Sequence, residues 1–268
     1  MSDKHIITFL SDFGTQDGYA GSVKGVIKSI YPRSEIIDIT HEIKPFDIRS
    51  AAFTLLNYYR QYPGGTVHLA VVDPGVGGER KPVIVRTAHY YFVGPDNGIF
   101  QYLLAREAYT LYAINAEKLP PSPESFTFHA RDIFGPTAAL LAGGTHPEDI
   151  GQRIDNTTQI ISGIRHKSDS LYEVDCISVD RFGNIISAFS RIDMERLKGQ
   201  SVKNIRVKNR TLPSLKKYYS QVKKGELLAL WNSQDFLEVA VCQGSAVDKL
   251  DFDAQKDHLE IELEKAKA

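Results

Sequence analysis

The sequence predicts an α/β fold: a larger amino-terminal domain with a mostly parallel sheet flanked by helices, followed by a small carboxy-terminal β-barrel domain. Two patterns and the chain length carry this. Up to roughly residue 165, apolar strand-like runs alternate with segments of helical period, the signature of a layered α/β fold. Beyond it the runs are short, alternate in polarity and are separated by turn residues, as in a small barrel or sandwich. A length of 268 residues suits one main domain with a smaller companion. The expected domains are 1–164 and 165–268, with the boundary near the polar stretch "SGIRHKSDSLYE".

In order, "HIITFL" reads as a buried strand, "YAGSVKGVIKSIY" as a helix and "SEIIDI" as a strand. "DIRSAAFTLLNYYRQY" reads as a helix with Ile48, Ala52, Leu55, Tyr59 and Tyr62 on one face. "TVHLAVV" returns as a strand, and "PVIVRTA" with "HYYFVG" suggests a hairpin. "NGIFQYLLAREA" reads as helix, "YTLYAI" as strand, and "RDIFGPTAALLAGG" as a helix stopped by paired glycines. The second part, from "LYEVDCISVD" to "HLEIEL", reads as strands without helices.

Thirty-two basic residues are interspersed with 33 acidic ones, for a net charge of −1. The basic footprint of a nucleic-acid binder is missing. Only five apolar residues precede Ser11, too few for a signal-peptide core, and no run is long enough to span a bilayer, so a cytoplasmic protein is expected. Cys176 and Cys242 stand far apart without metal-ligand spacing and read as buried thiols.

Ligands of parallel sheets collect at the carboxyl ends of strands. Four acid-bearing turns fall there: "SDFGTQDG", "ITHE", "VVDPGVGGER" and "VGPDNG". Each alone is ordinary turn chemistry; their shared placement points to a site rim. Asp17 reads equally as a ligand-binding acid or as the N-cap of the helix from Tyr19. Asp12 lies too far upstream to cap, which favours binding, for instance to ribose hydroxyls. The glycines nearby do not spell a dinucleotide fingerprint. In "TFHARDIFGP", His129 alone carries little weight, and Asp132 reads as a helix cap. "VDRFGNI" reads either as a tight hairpin or as an aromatic face and an amide offered to a planar base.

Taken together and in order, "SDFGTQDGYAGSVKG", "VVDPGVGGER", "GPDNG", "FHARDIFGP", "VDRFGN" and "NSQDFLEVAVCQGSA" resemble the S-adenosylmethionine hydroxide adenosyltransferases, relatives of the fluorinase and chlorinase enzymes. The resemblance covers nearly the whole chain. It implies hydrolysis of S-adenosyl-L-methionine to adenosine and methionine, no cofactor and no metal, and a homotrimer with ligand sites between subunits. It also implies that Asp73, Arg80 and His129 position and activate water, a set the halogenating relatives cannot hold because another residue replaces Asp73. Asp12 would meet the ribose, and Asp180, Phe182 and Asn184 the adenosine and amino-acid end. Ser233 would lie near the methionine portion, backbone around Gln243 at the adenine edge, and Phe46 and Tyr219 as flanking aromatics. Gln234 stands where the fluorinase has arginine, so no salt bridge is carried onto it.

Two other classes remain in view from the sequence: a non-catalytic binder of S-adenosylmethionine or adenosine, and a metal-dependent phosphoesterase using Asp12, Asp17, Asp73 and Asp96. Against the latter, no histidines cluster as ligands.

Overall fold

Strand β1 (Ile6–Ser11) is apolar at four of its six positions and buried from Ile7 onward, as suits a central parallel strand covered on both faces. It is followed by α1 (Tyr19–Ile30), β2 (Glu35–Thr40), α2 (Ile48–Tyr58), β3 (Val67–Val71), and the strands β4 (Pro82–Arg86) and β5 (Tyr91–Pro95). Then come α3 (Gln101–Leu104), β6 (Thr110–Ile114), α4 (Gly135–Ala142), α5 (Pro147–Ile150) and β7 (Gly151–Ile154). The computed structural model describes residues 5–121, 126–158 and 163–265. It divides into two compact units, Met1–Ile160 and Ile161–Ala268.

The first unit holds a seven-stranded sheet in the order β2-β1-β3-β5-β4-β6-β7. Its opening part is parallel, β1 pairing β2 and β3, and β3 pairing β5. The expected hairpin of β4 and β5 then reverses direction, and β6 and β7 continue antiparallel. The period of two along a strand explains the two layers. Ile7 and Phe9 of β1, with Val67, Leu69 and Val71 of β3, face a core completed by Val23 and Ile27 of α1 and Ala138 and Ala139 of α4. The alternate residues Thr8 and His68 share a hydrogen bond of 2.8 Å and meet Tyr58 at the end of α2. The run expected to be helical over 97–108 makes a single turn, α3. Gly98, at φ 97°, bends the chain before it, and Glu107 beyond it is drawn aside by Tyr59 and Arg60.

The second unit contains β8 (Ile164–Ser168), β9 (Leu171–Val179), β10 (Ile185–Ser190), α6 (Arg191–Arg196), β11 (Gln200–Val207), β12 (Arg210–Leu212) and β13 (Leu215–Lys216). It ends with β14 (Leu227–Trp231), β15 (Phe236–Val241), α7 (Ala246–Leu250) and β16 (His258–Lys265). The strands follow the order β12-β11-β16-β9-β10-β15-β14-β13, with β8 on β9. β12 lies against β14, so the sheet is nearly closed into a barrel. Contrary to the sequence expectation, two short helices interrupt the strands. Ser190 and Asp193 form a reciprocal capping box on α6, and Ser245 caps α7 by accepting the Asp248 N–H.

No helix among the described residues is long and apolar enough to cross a membrane. Both cysteines are free and buried.

His68 is enclosed by Tyr58, Tyr59, Tyr62, Tyr90 and Phe92, and burial pushes its imidazole from 6.5 down to about 3. Between these values the unfolded chain takes up a proton that the folded chain refuses, so stability falls as pH drops through that window. Each pH unit there should cost about 1.4 kcal/mol. Urea unfolding at a series of pH values should show this slope, and His68→Phe should flatten it.

Candidate functional site

β1 and β3 run parallel with Leu10 beside Ala70 and Ser11 beside Val71. Asp12 and Asp73, just beyond their ends, therefore leave the sheet at one edge. The loop after β2 is clasped to the loop after β1. Ser11 Oγ and His41 Nδ1 share a 2.7 Å hydrogen bond, Gly14 N–H donates to the His41 carbonyl at 2.8 Å, and Phe46 N–H donates to Asp12 Oδ2 at 2.9 Å. Phe46 adopts φ 70° and is 70% exposed. A bulky residue in left-handed backbone stores strain that surrounding structure must hold, and here the Asp12 carboxylate holds it. Burial, the largest influence, raises the pKa of Asp12; the Phe46 N–H opposes it and the Asp73 charge adds to it.

The Pro74–Glu79 loop doubles back so that Arg80 meets Asp73. Arg80 Nε lies 3.0 and 2.9 Å from the two Asp73 oxygens, and its Nη2 also donates to Oδ2. The side chains are 9% and 6% exposed. The same Nη2 contacts His129 Nδ1 at 2.6 Å, and the guanidinium lies over the Phe134 ring, 5.4 Å from its centre. Gly77 makes the return possible. It sits at φ 76°, and a Cβ there would come within 2.5 Å of the Phe126 carbonyl oxygen.

Arginine can only donate, so Nδ1 of His129 must accept, and the neutral ring carries its proton on Nε2. Burial, and then the Arg80 charge, lower the pKa of His129 against the opposing pull of Asp73 and Asp132. The ring is thus held neutral at ordinary pH.

Asp12, Phe46, Asp73 and His129 line one cavity of about 260 Å3, and Arg80 stands behind its wall. Phe13, Tyr19 and Phe128 also line it and meet one another edge to face or tilted.

In the second unit, Asp180, Phe182, Asn184, Tyr219 and Gln243 line a separate cavity of about 480 Å3 with Val241 and Gly244. The β9–β10 turn is organised by one carboxylate. Asp180 accepts from the Phe182 and Asn184 N–H groups at 2.9 Å each and from Asn184 Nδ2 at 2.8 Å. The segment is thus a tight hairpin turn that also presents Phe182, 75% exposed. Ser245 packs under Gly183, leaving no room for a Cβ.

The family model for the SAM hydroxide adenosyltransferase N-terminal domain matches residues 7–151, and that for the C-terminal domain matches 174–258. The chain belongs to the SAM hydroxide adenosyltransferase family. An (R)-S-adenosyl-L-methionine hydrolase of Methanocaldococcus jannaschii is 34% identical over 96% of this chain and 95% of its own. A fluorinase of Nocardia brasiliensis is more distant, at 26% over 72% of this chain and 73% of its own. A crystal structure of a conserved protein from Thermotoga maritima superposes with a TM-score of 0.81 and 35% identity, covering 95% of this chain and 99% of that one.

Within this member of the SAM hydroxide adenosyltransferase family, neither aspartate with a cap reading acts as a helix cap. Asp17 does not cap α1: Gly18, at φ 71°, occupies the N-cap and no side chain bonds there. Asp132 is no cap either. It lies inside the helical turn Ala130–Phe134, buried and held by Arg131 at 2.7 and 2.9 Å. Ser233 is exposed in the β14–β15 turn and is not among the residues lining the second cavity. Sequence reading missed Phe13, Tyr19 and Phe128, and also Glu238, a carboxyl buried in β15 and 2.8 Å from the Tyr219 hydroxyl. An acid inside the apolar run "FLEVAV" was the available signal for the last. Among the described residues no cluster of three or more His, Cys, Asp or Glu is arranged to hold a metal ion.

Arg80→Leu should strand the buried Asp73 carboxylate. A loss of about 3–5 kcal/mol is expected in urea unfolding; a change below about 1 kcal/mol would show that Asp73 is solvated without its partner.

Proposed function

We propose that this protein hydrolyses S-adenosyl-L-methionine to adenosine and L-methionine by in-line attack of water or hydroxide on the ribose 5′-carbon. The observation carrying this is the Asp73–Arg80–His129 cluster at the wall of a cavity that also presents Asp12. Family membership, and the name of the Methanocaldococcus jannaschii relative, support the same reaction. The new C–O bond forms as the C–S bond breaks, and the sulfonium leaves as a neutral thioether with its electron pair. No general acid is required. The demand falls on the nucleophile, which must be held opposite the departing sulfur.

Each residue has a distinct task in this scheme. Asp73 faces the cavity and accepts a hydrogen bond, then the proton, from the attacking water. Neutral His129 donates its Nε2–H to the same oxygen and fixes its direction. Arg80, behind the wall, locks the tautomer of His129 and balances the charge of Asp73. Asp12 receives the ribose hydroxyls, with Phe46 beside it. The residues of the second cavity, Asp180, Phe182, Asn184, Tyr219 and Gln243, bind the adenine and amino-acid parts. Ser233 would join them at the methionine end only if ligand binding brings its turn to the cavity. The enzyme is proposed to need neither metal nor cofactor and to work in the cytoplasm on a small-molecule substrate, with no nucleic-acid or membrane partner. As a homotrimer, it would place each ligand between the amino-terminal unit of one subunit and the carboxy-terminal unit of its neighbour.

Incubation with S-adenosylmethionine and chelator in halide-free, heavy-oxygen water should give adenosine labelled at the 5′-oxygen and unlabelled methionine. Binding without turnover would favour the non-catalytic binder, and loss of turnover on chelation would favour a metal enzyme. Faster formation of a halogenated nucleoside with chloride or fluoride would instead assign a halogenase. Arg80→Ala or His129→Ala should lower turnover on the order of a hundredfold or more.

A pH profile tests the neutral imidazole. Its pKa is lowered from 6.5, so turnover should hold through neutrality and fall on acidification with a midpoint below 6.5. At lower pH, protonation at Nδ1 would set two cations against each other and break the Arg80 contact.

A further inference from the structure

Glu238 sits in the middle of β15, where every residue is buried, and is itself only 3% exposed. A carboxyl group is costly to bury without partners, and an apolar residue would serve the barrel better. Its surroundings show what it does there. Along β15, Glu238 shares a face with Ala240, which packs with Leu228, Leu230 and Cys242, and Val222 rests on that cluster. The short helical turn Tyr219–Gln221 precedes Val222, so this segment is laid across the face at two points. Val222 holds it by apolar contact. The Tyr219 hydroxyl holds it by donating to Glu238 Oε1 at 2.8 Å.

The Tyr219 ring itself is 43% exposed and forms part of the wall of the second cavity. A half-exposed tyrosine on a surface loop would ordinarily sample several rotamers. This one is pinned by its far end. Burial raises the pKa of Glu238; the Tyr219 hydroxyl and the nearby Asn232 side chain oppose the rise, and the charge of Asp180 adds to it.

We propose that Glu238 is a positioning residue for substrate: through its hydrogen bond it fixes Tyr219 as a rigid aromatic wall against which the planar part of an adenosyl ligand lies. The inference rests on the function proposed above. A ring already held in place loses no rotamer freedom when a ligand arrives, so the benefit appears in binding rather than in the chemical step. Glu238 acts through Tyr219 and need touch neither ligand nor reacting atoms.

The test is a double-mutant cycle on the full chain, read as KM and kcat for S-adenosylmethionine, with the dissociation constant of adenosine by calorimetry. Tyr219→Phe and Glu238→Leu should each raise KM by about tenfold and leave kcat within about twofold. The double variant should be no worse than either alone, because the two residues act as one unit. Glu238→Gln keeps an acceptor for the phenol and should restore KM to within about twofold of the unaltered protein. Additive effects, an unchanged KM in Tyr219→Phe, or a Gln variant as impaired as the Leu variant would each overturn the proposal. Should Glu238→Leu fail to fold, Tyr219→Phe and Glu238→Gln still decide it. Absence of turnover in the unaltered protein would instead reject the hydrolase reading. Adenosine affinities of the same variants would then judge Glu238 by the same criteria.

Discussion

The parallel pairing of β1 with β3 is the constraint on which the first cavity depends. Chain connectivity sends α1 and β2 to one side of β1, and α2 then crosses back to deliver β3 on the other. At such a switch point two loops diverge and leave a crevice at the strand ends. Because Ser11 and Val71 are in register, Asp12, one residue further on, and Asp73, two residues further on, both leave the sheet at the same end. The hydrophobic core that enforces the register, Ile7 and Phe9 against Leu69 and Val71, thereby sets the geometry of a polar site it does not touch.

Much of this was legible because it depends on local chemistry. Apolar runs identified β1 and β3, and acids after them marked the rim. The meeting of Asp73 with Arg80 and with His129, the last 49 positions from Arg80, came only from resemblance to known enzymes. The helices α6 and α7 escaped because six and five residues are too few to display a helical period. Their caps, Ser190 with Asp193 and Ser245 with Asp248, were nonetheless written in the sequence. The cap reading of Asp132, and the cap alternative left open for Asp17, fail for the opposite reason: a residue type favoured at caps stood near a helix start, but an Arg131 ion pair in one case and Gly18 in the other took precedence.

Electrostatics divides the labour at the Asp73 cluster. Arginine keeps its charge at any relevant pH, and that charge discourages the neighbouring His129 from taking up a proton. A fixed cation thus serves two ends: it neutralises a carboxylate inside a nearly closed wall, and it dictates which nitrogen of a neighbouring ring carries hydrogen. Neither effect could be inferred from residue identities alone, since both depend on Nη2 lying between the two partners.

The hairpin turn at Asp180 bears on molecular discrimination. A carboxylate offers about four acceptor positions, and three donors of its own turn already occupy this one. What remains for an incoming molecule is at most a single contact. The rest of that surface is ring, amide, the aliphatic Val241 and Gly244. A cavity so furnished meets an incoming molecule with ring and amide surface more than with a free ionic partner.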